Sequence, residues 1–146
     1  QGQVCMAANR ILVDRAVEAE FTEKFVAKVA SLTVGDPADP ATQIGPLINS
    51  SQAESVSKLV DQTVAAGATA LLHGRADGNL VSPSVLTGLA ADSPVLHQEI
   101  FGPVALLVPF DGEDEAVRIA NDTPYGLSGA VHTGNIERGV RVGQRI

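Results

Sequence analysis

Val104-Ala105-Leu106-Leu107-Val108 contains no polar side chain. Successive residues of a strand face opposite sides, so a strand of this composition must lie inside a sheet that is covered on both faces. Pro103 has no N–H for a ladder and is expected at the first residue of that strand or just outside it. The covering helices are legible elsewhere in the chain. Val17, Phe21, Phe25, Val29 and Leu32 recur every three or four residues among Glu and Lys, which is one apolar stripe on a helix from Ala16 to Leu32. Gly35-Asp36-Pro37 stops it and opens a loop that reaches Pro46. A second helix starts near Ser51, where Ser51-Gln52-Ala53-Glu54 has the form of a capping box. It is expected to bury Val56, Leu59, Val60 and Val64, with Gly67 at its C-cap. Asp111 can cap a third helix with Ala116, Ile119 and Ala120 inward, and Asn135 caps a last one that runs toward Ile146. Further strands are expected at residues 10–14, 69–73, 80–86 and 125–131, with a polar turn through Asp77-Gly78-Asn79. Strands alternating with helices predict an α/β fold, a three-layer domain whose mostly parallel sheet is covered by helices.

Composition narrows the function classes. A chain of 146 residues suits one domain, and 45% hydrophobic content excludes intrinsic disorder. Ten Lys and Arg stand against 17 Asp and Glu, a formal charge of −7. That balance argues against a nucleic-acid or anionic-membrane partner, either of which would need positive potential. No apolar stretch approaches the ~18 residues of a membrane span, and the opening Gln-Gly-Gln does not read as a signal peptide. A cytoplasmic protein is expected. The single cysteine excludes an internal disulfide and a Cys-rich metal site. His73, His97 and His132 lack ligand-like spacing, so no metal is expected.

Two constellations could carry chemistry. Cys5 is the only strong nucleophile, and its thiolate would be the reactive form. Beside Met6 and Ala7 it also reads as a small buried hydrophobe. On residue type alone that second reading is the stronger; the preceding Gly2-Gln3 weakens it, because Gly allows close backbone approach and Gln is costly to bury without partners. The second constellation is Glu99-Ile100-Phe101-Gly102-Pro103-Val104, entering the apolar strand. A carboxylate there can accept hydrogen bonds from both hydroxyls of a diol such as ribose. In an extended segment Phe101 would share its face and offer a flat surface to a heterocycle. A solvated Glu and a core Phe would be the structural alternative.

Taken together, Gly2-Gln3-Val4-Cys5 followed by Glu99-Ile100-Phe101-Gly102-Pro103 resembles the aldehyde dehydrogenase superfamily. The likeness continues through Gly35-Asp36-Pro37, Ile44-Gly45-Pro46-Leu47-Ile48 and Asn121-Asp122-Thr123-Pro124-Tyr125-Gly126-Leu127-Ser128, in the family's order. Met6-Ala7-Ala8-Asn9-Arg10-Ile11 is similar to the benzaldehyde and vanillin dehydrogenase branch. The resemblance implies that Cys5 is the nucleophile of an NAD- or NADP-dependent oxidation of a small-molecule aldehyde. The acid would form through thiohemiacetal and thioester intermediates, in an enzyme that is a homo-oligomer. It also implies that Glu99 holds the nicotinamide ribose and that Phe101 packs against the nicotinamide. The Gly-Asp-Pro, Gly-Pro-Leu-Ile and Tyr-Gly-Leu segments are expected to be turns and packing. The family's general-base Glu, an oxyanion-hole Asn and its dinucleotide-binding domain lie upstream of its nucleophile. Residues 1–146 are therefore expected to be part of a catalytic domain, truncated at both ends and inactive alone. Two other classes stay open: a catalytically silent interaction module of the same fold, and Cys-dependent acyl transfer or hydrolysis without nicotinamide.

Overall fold

The computed structural model describes all 146 residues. Six strands and four helices follow in the order β1 (Arg10–Asp14), α1 (Glu18–Ala30), α2 (Ser50–Ala65), β2 (Thr69–Leu72), β3 (Ala76–Asp77), β4 (Leu80–Val81) and β5 (Ser84–Thr87). A 3-10 turn at Pro94–His97 leads to β6 (Val104–Phe110), α3 (Gly112–Asn121) and α4 (Ile136–Gly143). The main sheet has the order β1-β6-β5-β2, parallel at β1–β6 and β6–β5 and antiparallel at β5–β2. The apolar run 104–108 lies in an interior strand, extended to Phe110, with Pro103 just outside it. Leu106 and Leu107 are both buried, as a strand covered on each face requires. The architecture is the expected three-layer α/β domain with a largely parallel sheet.

One face of the sheet carries the main core. Ala53, Val56 and Val60 of α2 pack with Leu86, Val104 and Leu106, and Leu47, Val95, Leu96 and Ile100 close the cluster. Val85 and Leu107, which alternate with Leu86 and Leu106, are buried toward the opposite face. There α1 contacts β1 and β2, and α3 contacts β1. The α1 stripe is shallower than its spacing predicts. Phe21 and Phe25 stack on each other at 5.5 Å, yet no α1 residue is fully buried and Val17 is exposed.

Four local expectations need correction. Helix α2 is capped two residues earlier than Ser51: Asn49 accepts from the Gln52 N–H at 2.8 Å, and an amide oxygen at this place satisfies an orphan donor. Residues 80–86 are not one strand. Gly78, at φ +57°, turns β3 back into the β3–β4 hairpin, and the chain then re-enters the main sheet as β5. Asp111 stands at the N-cap of α3 without capping it, because its carboxylate accepts from Arg15 at 2.7 Å; its backbone N–H instead donates to Glu115. Residues 125–131 form no strand, having no neighbour to share a ladder with, and most of them are exposed. The C-terminus of α2 matches expectation in detail. Gly67, at φ +106°, donates to Val64 and Ala68 donates to Thr63, so the last carbonyls are satisfied.

Arg10 fastens α3 to the sheet. Its guanidinium donates to the carbonyls of Ile119 (2.8 Å), Ala120 (3.0 Å) and Asp122 (3.0 Å), at the end of a helix where a cation is favoured. Burial lowers its pKa from the ordinary arginine value, opposed by the nearby Asp122 carboxylate. Arg10→Met should keep much of the stem's packing and leave these carbonyls without a charged donor. The expected loss is about 1–2 kcal/mol, discounted for partial exposure, and urea denaturation followed by circular dichroism measures it. An unchanged midpoint would remove Arg10 from the account.

Candidate active site

Parallel pairing decides where the two constellations meet. In the β1–β6 ladder Arg10 stands opposite Leu106, so both strands begin at the same end of the sheet. The residues just before β1 include Cys5, and those just before β6 include Glu99 and Phe101. Both segments therefore arrive at the amino ends of adjacent strands. This is the opposite end from the one at which open parallel sheets usually take ligands. The side-chain amide of Asn9 ties them together, donating to the Gln98 carbonyl at 2.8 Å.

The closest link is made by backbone alone. Gly2, at φ +75°, lies so near Gly102 that a Cβ on it would fall 2.2 Å from the Gly102 carbonyl oxygen. A Cβ on Gly102 would in turn meet Val56 of α2 at 2.6 Å. Only glycine fits at both positions. The two glutamines that flank Gly2 are anchored as well. Gln1 accepts from the Gly45 N–H at 2.9 Å, and Gln3 accepts from the Ile48 N–H at 2.8 Å and donates to the Pro46 carbonyl at 3.3 Å. The Gly45-Pro46-Leu47-Ile48 segment is thus a packing loop, with Leu47 buried and donating to the Asn79 carbonyl.

Cys5 sits in a turn closed by the Ala7 N–H donating to the Val4 carbonyl at 3.0 Å. It is a free thiol and it is exposed in this chain. Met6 beside it is also exposed. Glu99 is exposed, Ile100 is buried at 6% and Phe101 is 38% exposed. Exposed, buried and exposed residues thus follow one another along this segment. The segment is nonetheless not a regular strand, because Phe101 has φ +51°, the one non-glycine residue of the chain with positive φ. An accessible carboxylate and an accessible aromatic ring two residues apart suit the diol and flat heterocycle of a nucleoside. No three His, Cys, Asp or Glu side chains cluster to hold a metal ion.

Gln52 was not legible as part of this region. From the first turn of α2 its side-chain amide donates to the carbonyls of Ile100 and Phe101, each at 3.1 Å. The Gly2–Gly102–Val56 stack was equally hidden. Gly102→Ala should overpack against buried Val56 and cost about 1–3 kcal/mol, read as a lower urea midpoint. Adding Val56→Ala should restore part of that loss relative to Val56→Ala alone. Equal midpoints for Gly102→Ala and the parent chain would show that the contact is slack.

Comparison with known proteins places the whole chain. The model of the aldehyde dehydrogenase family matches residues 1–146. A benzaldehyde dehydrogenase of Bacillus subtilis is 51% identical over 146 residues, covering 100% of this chain and 30% of that protein. A vanillin dehydrogenase of Pseudomonas fluorescens is 36% identical over the same span, again 100% and 30%. Among solved structures, a Mycobacterium tuberculosis aldehyde dehydrogenase complexed with NAD+ superposes with a TM-score of 0.94 at 36% identity, over 99% of this chain and 31% of that one. An NADP-dependent enzyme of E. coli gives 0.94 at 33% identity, over 99% and 31%. The chain spans about 30% of the length of the curated relatives it matches.

Proposed function

Because the chain belongs to the aldehyde dehydrogenase family, we propose that the protein carrying it is an oxidoreductase that converts an aldehyde to its carboxylic acid with NAD+ or NADP+, using Cys5 as nucleophile. The observation that supports this best is the placement of an exposed thiol on a turn fastened to the Glu99–Phe101 segment. The Cys5 thiolate adds to the aldehyde carbon, forming the C–S bond of a thiohemiacetal while negative charge gathers on the former carbonyl oxygen. The backbone N–H of Cys5 donates to that oxygen and lowers the cost of the charge. NAD(P)+, when bound, supplies the hydride acceptor. Loss of hydride from the thiohemiacetal carbon leaves a thioester on Cys5, and attack by water releases the acid and returns the thiol.

Glu99 and Phe101 are assigned to the cofactor: the carboxylate accepts from the nicotinamide ribose hydroxyls, and the ring packs against the nicotinamide. Their exposure and spacing fit those tasks. The 51% identity to a benzaldehyde dehydrogenase supports an aromatic aldehyde as substrate. The same reading makes the complete enzyme a homo-oligomer, and residues 1–146 by themselves a cytoplasmic catalytic-domain segment without turnover. Cys5→Ala in the protein that carries these residues should reduce aldehyde-dependent NAD(P)H formation to background, while NAD(P)+ binding measured by calorimetry is retained. Turnover near the unsubstituted rate would defeat the assignment.

A further inference from the structure

We infer that Gln52 is a positioning residue, holding the Glu99–Phe101 segment in the conformation that meets the cofactor; the inference rests on the functional reading above. Phe101 adopts φ +51°, a region that L residues with side chains populate at a cost and keep only where their surroundings impose it. The imposing group is the Gln52 side chain. The Gln52 amide donates to the Ile100 carbonyl, in the peptide bond that precedes Phe101, and to the Phe101 carbonyl, in the one that follows it. One turn further along α2, Val56 packs on Gly102 and closes the other end of the same segment. Gln52 is itself fixed, because its backbone N–H is taken by the Asn49 cap in the first turn of the helix. Helix α2 thereby transmits the position of the main core, through Ala53 and Val56, to a segment that is exposed at Glu99 and Phe101. Gln52 touches neither the thiol nor the reacting carbon in this role; it acts through the backbone of its neighbours.

Gln52→Met keeps the length of the side chain and removes its donors. Gln52→Glu also removes them, and a carboxylate in the first turn of a helix favours folding. Both variants should remain folded, with the helical circular dichroism of the parent chain. In the cofactor-free protein, amide hydrogen exchange across residues 99–103 should quicken, while exchange in β6 stays unchanged. In the presence of substrates the KM for NAD(P)+ should rise about tenfold, the effect of roughly one net hydrogen bond lost, with the KM for aldehyde unchanged. Glu99→Gln and Phe101→Ala, measured in parallel, separate the two layers of the argument. If they impair NAD(P)+ use and the Gln52 variants do not, Gln52 is not a positioning residue and the cofactor assignment stands. If they leave NAD(P)+ use untouched, the cofactor assignment falls and this inference falls with it. Equal loss of cofactor and aldehyde affinity, together with reduced helical circular dichroism, would make Gln52 a folding residue only.

Discussion

Gly2 and Gly102 approach each other as only residues without a Cβ can, and most of what the molecule offers chemically depends on that contact. With any other residue at Gly2, the side chain would collide with backbone, which cannot swing aside as a flexible side chain can. The contact joins residues 100 positions apart in the chain. It ties the chain just before the Cys5 turn to the segment that carries Glu99 and Phe101; Asn9 adds a hydrogen bond to Gln98, and Gln1 and Gln3 bond the backbone at residues 45–48. These bonds answer the cost of placing glutamines beside a packed loop, since each amide finds backbone partners.

The sheet makes the contact possible. β6 is flanked by parallel neighbours on both sides, so the chain enters β1, β6 and β5 from one end. Helix α2 lies across the face below that end and contributes the core residues Ala53, Val56 and Val60. Its first two turns then serve two purposes at once, with Val56 supporting Gly102 by packing and Gln52 supporting Ile100 and Phe101 by hydrogen bonds. A rigid core element thus reaches directly into an exposed loop. This is how a thiol on a turn and a ring on an irregular segment can be held in a reproducible relation.

Much of this framework is legible in the sequence, and the parts that are not share a cause. Periodicity locates α1, α2 and α3, the Asn135 cap marks α4, and the apolar run 104–108 identifies the interior strand. Local patterns fail where a tertiary partner decides. Residues 125–131 have the composition of a strand but no ladder to join, and the 80–86 run is broken because Gly78 reverses the chain into a short hairpin. Asp111 satisfies the pattern of a helix cap, yet Arg15 takes its carboxylate. At the site, residue chemistry and family likeness single out Cys5, Glu99 and Phe101. The positive φ of Phe101, the Gln52 bridge and the glycine stack leave no local trace, since each is a relation between residues distant in sequence. The polar spacing at the start of α2 did hint at a cap, but it could not show that Gln52 spends its side chain on another segment.

We propose that Cys5 carries the acyl group of an aldehyde oxidised by NAD(P)+ in the protein that holds these residues. Mass spectrometry of the peptide containing Cys5, after rapid acid quenching of the complete enzyme mixed with an aromatic aldehyde and NAD(P)+, tests it most directly. The expected result is an acyl adduct as a thioester on Cys5, formed only when NAD(P)+ is present and accompanied by NAD(P)H. An acyl adduct that forms from an acyl donor without NAD(P)+, with none from aldehyde and NAD(P)+, would contradict it and point to acyl transfer instead.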